Sequence, residues 1–145
     1  MPLIAFLLLT AAAAAFGAAF PPGPWFAALA KPAWTPPNGA FGPVWTTLYI
    51  MIAIAGWLVW RKGDRKTLAI WGIGLGLNAA WSWLFFGRHA IGWALADIVL
   101  IWLSIAAFII AAWSRDRRAS LLFLPYLAWV SLATVLIFTI WQLNS

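Results

Sequence analysis

The sequence predicts an all-α membrane protein, a single domain built as a five-transmembrane-helix bundle. Three observations predict it. Of the 145 residues, 66% are hydrophobic and only 8% are charged, whereas about a quarter of a soluble domain is charged. The apolar residues fall into five blocks, each long enough to cross about 30 Å of hydrocarbon as a helix. The basic residues gather in short links between those blocks, which is the signature of membrane topology rather than of nucleic-acid binding.

The blocks run Leu3–Phe20, Val44–Trp60, Thr67–Phe86, Ile91–Trp113 and Leu121–Leu143. In lipid every backbone polar group must bond within the protein, and links this short suit a helix bundle. The alternating strands of a barrel are missing. The first block has a Leu-rich then Ala-rich texture that a signal peptide also shows, but no basic residue precedes it, so it reads as a retained helix. Pro125, near the start of the last block, either kinks that helix or ends a short preceding turn.

The links set the orientation. Arg61–Lys66 and Ser114–Arg118 lie on one face and hold seven of the nine Lys and Arg, while the other face has Lys31 and Arg88. The positive-inside rule then puts the N-terminus and the basic links in the cytoplasm of a bacterial inner membrane. The longest link, residues 21–43, holds seven of the nine prolines along with Trp25, Phe26, Trp34 and Phe41. An aromatic, nearly uncharged link of this kind folds back on the bundle, making it a candidate lid.

Little soluble-style chemistry is available. There are no cysteines, one histidine and three acids, so thiol catalysis and disulfides are excluded, and nothing forms a metal set or a nucleophile–base–orienter set. Gly72, Gly74 and Gly76 lack a preceding strand, and their span is apolar, so a phosphate loop does not fit. Gly72 and Gly76 instead make a small-xxx-small face for packing within the chain or in a dimer, as does the Ala11–Ala15 run with Gly17 and Ala18.

Asp97 is the one acid inside a span, serving either as a ligand or proton site or as a tie between helices, with Arg88, His89 and Lys31 as possible partners. Asn78 lies mid-span with Trp81 at i+3. Trp45 and Tyr49, Trp93 and Asp97, and Trp129 and Ala133 form i,i+4 pairs. These read either as bundle core or as a pocket lined by indoles with a few polar anchors. Of the 13 tryptophans, Trp25, Trp34, Trp57, Trp60 and Trp113 fit the membrane interface. Trp71, Trp81, Trp102 and Trp129 fall inside apolar blocks and do not.

Several strings resemble one family. Lys31-Pro32-Ala33-Trp34-Thr35-Pro36-Pro37 with Gly42-Pro43-Val44-Trp45-Thr46-Thr47-Leu48-Tyr49 is similar to the loop and second helix of the TspO/MBR translocator proteins, also called tryptophan-rich sensory proteins or peripheral benzodiazepine receptors. Leu77-Asn78-Ala79-Ala80-Trp81 through Phe85-Phe86-Gly87 resembles the third helix. Gly92-Trp93-Ala94-Leu95-Ala96-Asp97 resembles the fourth. Pro125-Tyr126-Leu127-Ala128-Trp129 with Leu132-Ala133-Thr134 resembles the fifth. The likeness covers nearly the whole chain, in order.

The resemblance implies a five-helix bundle, often a homodimer, with a ligand cavity under the first long loop. The ligands it implies are porphyrins such as protoporphyrin IX, and in many members sterols and isoquinoline- or benzodiazepine-type compounds. No resident cofactor is implied. The implied cavity residues are Trp34, Phe41, Trp45, Tyr49, Asn78, Trp81, Phe85, Trp93, Ala96, Asp97, Trp129, Ala133 and Leu136. Light-dependent porphyrin breakdown and lipid or sterol transport are the alternatives to simple binding. The sterol pattern of the fifth helix is incomplete here, with Phe138 and Gln142 in place of a tyrosine and a basic residue. Ile137 replaces a common asparagine, and an arginine found near the end of the first helix is missing around Gly17–Phe20. The short tail is consistent with a bacterial member.

Overall fold

The computed structural model describes residues 3–145. Its helices are α1 (Leu3–Ala18), α2 (Pro24–Ala28), α3 (Asn38–Arg61), α4 (Arg65–Ser82), α5 (Ile91–Trp113), α6 (Arg117–Leu122) and α7 (Leu124–Leu143), and α4 runs on through a π-helical turn at Trp83–Gly87. No strand occurs among the described residues. Asn38–Arg61, Arg65–Gly87, Ile91–Trp113 and Arg117–Leu143 are each long and apolar enough to cross a membrane, and α1 adds a shorter apolar helix. The predicted all-helical bundle of roughly five spans is what the chain forms.

The helix ends follow proline chemistry. α1 stops at Ala18 because Pro21 and Pro22 follow and bar the preceding residue from helical geometry. α3 begins at Asn38 rather than at Val44 and takes Pro43 into its second turn, where a missing N–H loses one ladder bond. The hydroxyls of Thr46 and Thr47 donate to the Gly42 and Pro43 carbonyls there. Pro125 falls in the first turn of α7 and separates it from the short α6, so the last block is two helices that break at Phe123.

Around the bundle, α1 packs on α3 and α4, α4 on α5, and α5 on α7, while α6 bridges α3 and α5. The α3–α4 contact rests on a tryptophan. The Trp71 indole N–H donates to the Ile52 carbonyl at 2.8 Å, and its ring lies flat on Gly56, where an added Cβ would come within 2.5 Å. Gly74 serves the α4–α5 contact in the same way against Ser104. Gly72 and Gly76, by contrast, have open space beside them. Their face is not used for packing within the chain. Trp102 ties α5 to α7 by donating to Ser131 Oγ at 2.8 Å.

The two basic links lock each other. Asp64 caps α4, accepting from the Thr67 N–H at 3.2 Å and from its hydroxyl, and Arg115 of the other link lies 3.9 Å away. Asp116 caps α6 through the Arg118 N–H and holds the same residue's guanidinium at 3.0 Å. The Thr67 hydroxyl holds the Asp64 carboxyl below the usual carboxylate range, and the Arg118 guanidinium does the same for Asp116. Because both are lowered in the folded state, their stabilisation is full above about pH 4, the unfolded value, and is lost as pH falls through the lower folded values. Protease cutting at Arg61–Lys66 should therefore rise on acidification below about pH 4 and be raised already at neutral pH in Asp64→Ala.

Candidate functional site

α1, α3, α4, α5 and α7 enclose a cavity of about 920 Å³ beneath the long loop. Its walls are built by helical spacing. On α3, Phe41, Trp45 and Tyr49 recur at i, i+4 and i+8. On α4, Asn78, Trp81, Ser82, Phe85 and Phe86 face it. Phe85 and Phe86 lie in the π turn, which is closed by the Arg88 N–H on the Trp83 carbonyl at 2.7 Å. From α7 come Trp129, Val130, Ala133, Leu136 and Ile137.

Polar groups divide into satisfied and free. Tyr49 donates to Asn78 Oδ1 at 3.0 Å, and Asn78 Nδ2 donates to the Tyr126 oxygen at 2.6 Å. This line ties α3, α4 and α7 together at one end of the cavity. The indole N–H groups of Trp81 and Trp129 are buried without a partner, as is Asp97 Oδ2. An unpaired buried donor costs about 1–3 kcal/mol, and these two lie on different walls, Trp81 on α4 and Trp129 on α7. The four mid-span tryptophans thus separate cleanly. Trp71 and Trp102 spend their N–H on helix contacts, while Trp81 and Trp129 line the cavity with theirs buried and unpartnered.

The residues picked from sequence fall on both sides of this boundary. Phe41, Trp45, Tyr49, Asn78, Trp81, Phe85, Trp129, Ala133 and Leu136 all line the cavity. Trp34, Trp93, Ala96 and Asp97 do not. Trp34 sits in an outward turn closed by the Thr35 N–H on the Pro32 carbonyl, and is 48% exposed. Trp93 is 74% exposed. The buried stripe of α5 passes through Ala94, Asp97, Ile98 and Ile101, and the 40° or so by which i+4 overshoots a turn carries Trp93 past its edge. Ala96 is on the outer face of α5. Asp97 is buried behind the wall formed by Ile98 and Ile101.

The side chains expected to meet Asp97 are engaged elsewhere. Lys31 Nζ donates to the carbonyls of Phe26, Ala27 and Leu29, closing the end of α2. Arg88 lies over the Trp83 ring, and His89 stacks on Trp25 at 4.2 Å with the planes 6° apart.

Sequence reasoning missed three contributors. Tyr126 holds Asn78. The α1 residues Thr10, Ala14 and Gly17 form a whole wall. The Ala run that read as a packing face both packs and makes room, with Ala13 buried and Gly17 against Ser82 while Ala11 and Ala14 line the cavity. Phe26 of the short α2, which no periodicity marks, plugs the roof against Phe85 and Phe86.

The loop over the cavity is fastened at several points. Besides Phe26 and the Trp25–His89 stack, the Asn144 side chain makes two bonds to one residue. It accepts from the Ala30 N–H at 3.1 Å and donates to the Ala30 carbonyl at 2.9 Å.

The TspO/MBR family profile matches residues 4–142. Protein CrtK of Rhodobacter capsulatus is 38% identical over 144 residues, which is 96% of this chain and 90% of that protein. The translocator protein of Homo sapiens is 39% identical over 126 residues, covering 83% of this chain and 75% of that one. The tryptophan-rich protein TspO of Chlorobaculum tepidum is 42% identical over 136 residues, covering 88% and 86%.

Proposed function

This chain is a member of the TspO/MBR family and an integral multi-pass membrane protein, and on that premise we propose that it is a sensor or carrier that binds porphyrins and related flat hydrophobic ligands in the intrabundle cavity. The observation that carries the reading is the large apolar space lined by the indoles of Trp45, Trp81 and Trp129. A macrocycle stacks on the indole faces, and rotation of the Trp81 or Trp129 ring would bring its unpartnered N–H to a peripheral acceptor. Asn78 acts by holding the wall, since its carbonyl and one N–H are already bonded to Tyr49 and Tyr126.

The test is a protoporphyrin IX titration of detergent-purified protein, read by tryptophan quenching. Saturable quenching is expected, with Kd about tenfold weaker in Trp129→Phe, the worth of one donor at about 1.4 kcal/mol, and weaker also in Asn78→Ala. Absence of saturable quenching in folded protein would end the porphyrin reading and turn the search to other lipids.

A second reading is light-dependent breakdown of the bound porphyrin. It is favoured by the edge-on Trp45–Trp129 pair in the cavity wall, with ring centres 6.5 Å apart, which offers electron donors beside the macrocycle while the porphyrin supplies the photochemistry. Bleaching no faster than with denatured protein would remove it. Lipid or sterol transport ranks lower. Phe138, where the sterol pattern needs a tyrosine, is 43% exposed and stands outside the cavity, so high-affinity sterol binding by that route is not expected. Isoquinoline- or benzodiazepine-type compounds would compete for the same space. The open face at Gly72, Ile73 and Gly76 suits a homodimer, and the charge of the links supports a cytoplasmic N-terminus.

A further inference from the structure

The cavity is not closed all round, and where it opens has a consequence for how it is loaded. Among the described residues lining it, those from α4, α5 and α7 are buried or half-buried. The exposed ones lie on α1, on α3 and at the Pro21–Pro22 step after α1. Ala11 and Ala18 form the rim on α1, and Asn38, Gly42, Thr46 and Ile50 form it on α3 at four-residue intervals. A ridge at i, i+4, i+8 and i+12 follows one side of a helix, so the rim on α3 is a line along its length.

The packing of α1 explains the opening. Near its start, Phe6 meets Trp60 and Trp71, with ring centres 6.3 and 5.3 Å apart, and closes the seam with α3. Near its end α1 turns to α4 instead. Gly17 lies against Ser82, and Phe20 lies so close to Gly87 that an added Cβ there would come within 2.8 Å. Between these anchors the one exposed lining residue on α1 is Ala11, too small to span to α3. The opposite seam, between α3 and α7, is filled by Phe41 and Trp45 against Trp129.

We propose that the α1–α3 seam is a lateral portal through which an apolar ligand dissolved in the bilayer reaches the cavity, without passing the loop above. The seam spans membrane-crossing helices, so its outer side faces acyl chains. Its rim is alanine, glycine, isoleucine, one threonine whose hydroxyl is already spent on the Gly42 carbonyl, and Asn38 at the loop end. Below Asn38 the rim thus presents no free polar side chain that an apolar solute would have to desolvate. The loop route would require release of the Asn144 bonds and of the Trp25–His89 stack. This proposal rests on the reading that the cavity is the ligand site.

The chain has no cysteine, which permits a test that does not depend on porphyrin. Ala133→Cys places a thiol on the cavity wall in liposome-reconstituted protein. A membrane-dissolved N-alkyl maleimide should modify it faster than a sulfonated, water-soluble one. Adding Ala18→Phe and Thr46→Phe should slow that modification by about tenfold or more, within the range over which access alters on-rates. Both positions face lipid, so the larger rings leave the helix contacts intact. Ala12→Phe, exposed on α1 but off the rim, is the control. The same plugged protein should slow protoporphyrin IX quenching in parallel. Unchanged alkyl-maleimide rates in the plugged protein, or labelling by the water-soluble reagent as fast as by the alkyl one with the loop intact, would overturn the portal. A portal supported by thiol labelling together with no porphyrin quenching would reject the porphyrin ligand and leave the portal standing for another apolar solute.

Discussion

Gly56→Leu is expected to abolish the native bundle. A Cβ at this position would come within 2.5 Å of the Trp71 ring, well inside the contact distance of about 3.5 Å. The ring has nowhere to go. Its N–H is bonded to the Ile52 carbonyl, and its face carries Phe6. Relief therefore requires moving α4 away from α3, which breaks that bond and opens the seam at Phe6 as well. Overpacking alone costs about 1–3 kcal/mol, and the lost indole bond adds about 0.6–1.7 kcal/mol on the scale measured between membrane helices. The sum is a large part of a marginal stability. Thermal unfolding in detergent, followed by loss of a monodisperse peak, would show it. Gly72→Leu, with open space beside it, should leave the unfolding temperature unchanged while testing the dimer face. Equal stability of Gly56→Leu and wild type would mean that α3 and α4 are not held by this contact.

Phe85→Ala should be the most damaging truncation in the cavity. Phe85 is fully buried, and its ring meets Trp25, Phe26, Trp81 and Phe86 with centres 4.9–5.9 Å apart. In water such a change costs about 3–5 kcal/mol. In a membrane the apolar transfer part largely vanishes, because lipid is as apolar as the core. What remains is the void and the lost ring contacts, about 2 kcal/mol. That loss falls on the loop rather than on the spans, since two of the four partners belong to it. Protease cutting within residues 21–37 should rise markedly while the spans keep their helical signal. Phe85→Leu should restore most of the protection. Cutting unchanged in Phe85→Ala would show that the Asn144 bonds and the Trp25–His89 stack hold the loop unaided.

How much of this was legible beforehand differs between fold and site. The spans were legible because bulk hydropathy and basic links act over many residues, and a shift of a few positions at one end hardly alters either. The start of α3 was misplaced because Pro43 reads as a stop, yet a proline in the second turn is tolerated. In the site, a residue such as Trp45 or Trp129 sits mid-stripe and falls inside. Trp93 sits one step off the stripe and falls outside, a distinction of some tens of degrees that spacing alone blurs. The fate of Asp97 depended on where three side chains would go, and Lys31 was captured by carbonyls a few residues away. The role of Tyr126 and the empty space beside Ala14 arise only when three helices meet, and no local pattern encodes them.

The paired bonds between Asn144 and Ala30 give the loop a gauge. Among the described residues, the Ala30 amide is the one loop N–H that bonds to the bundle; the other bonded loop amides donate to loop carbonyls nearby in sequence. Its hydrogen exchange with solvent then reports detachment of the loop from α7 rather than local fraying. The ratio of its intrinsic to its observed exchange rate is the closed-to-open equilibrium constant. A ligand that reaches the cavity from the bilayer and then presses the roof shut would slow this single amide, and one that props the roof up would hasten it.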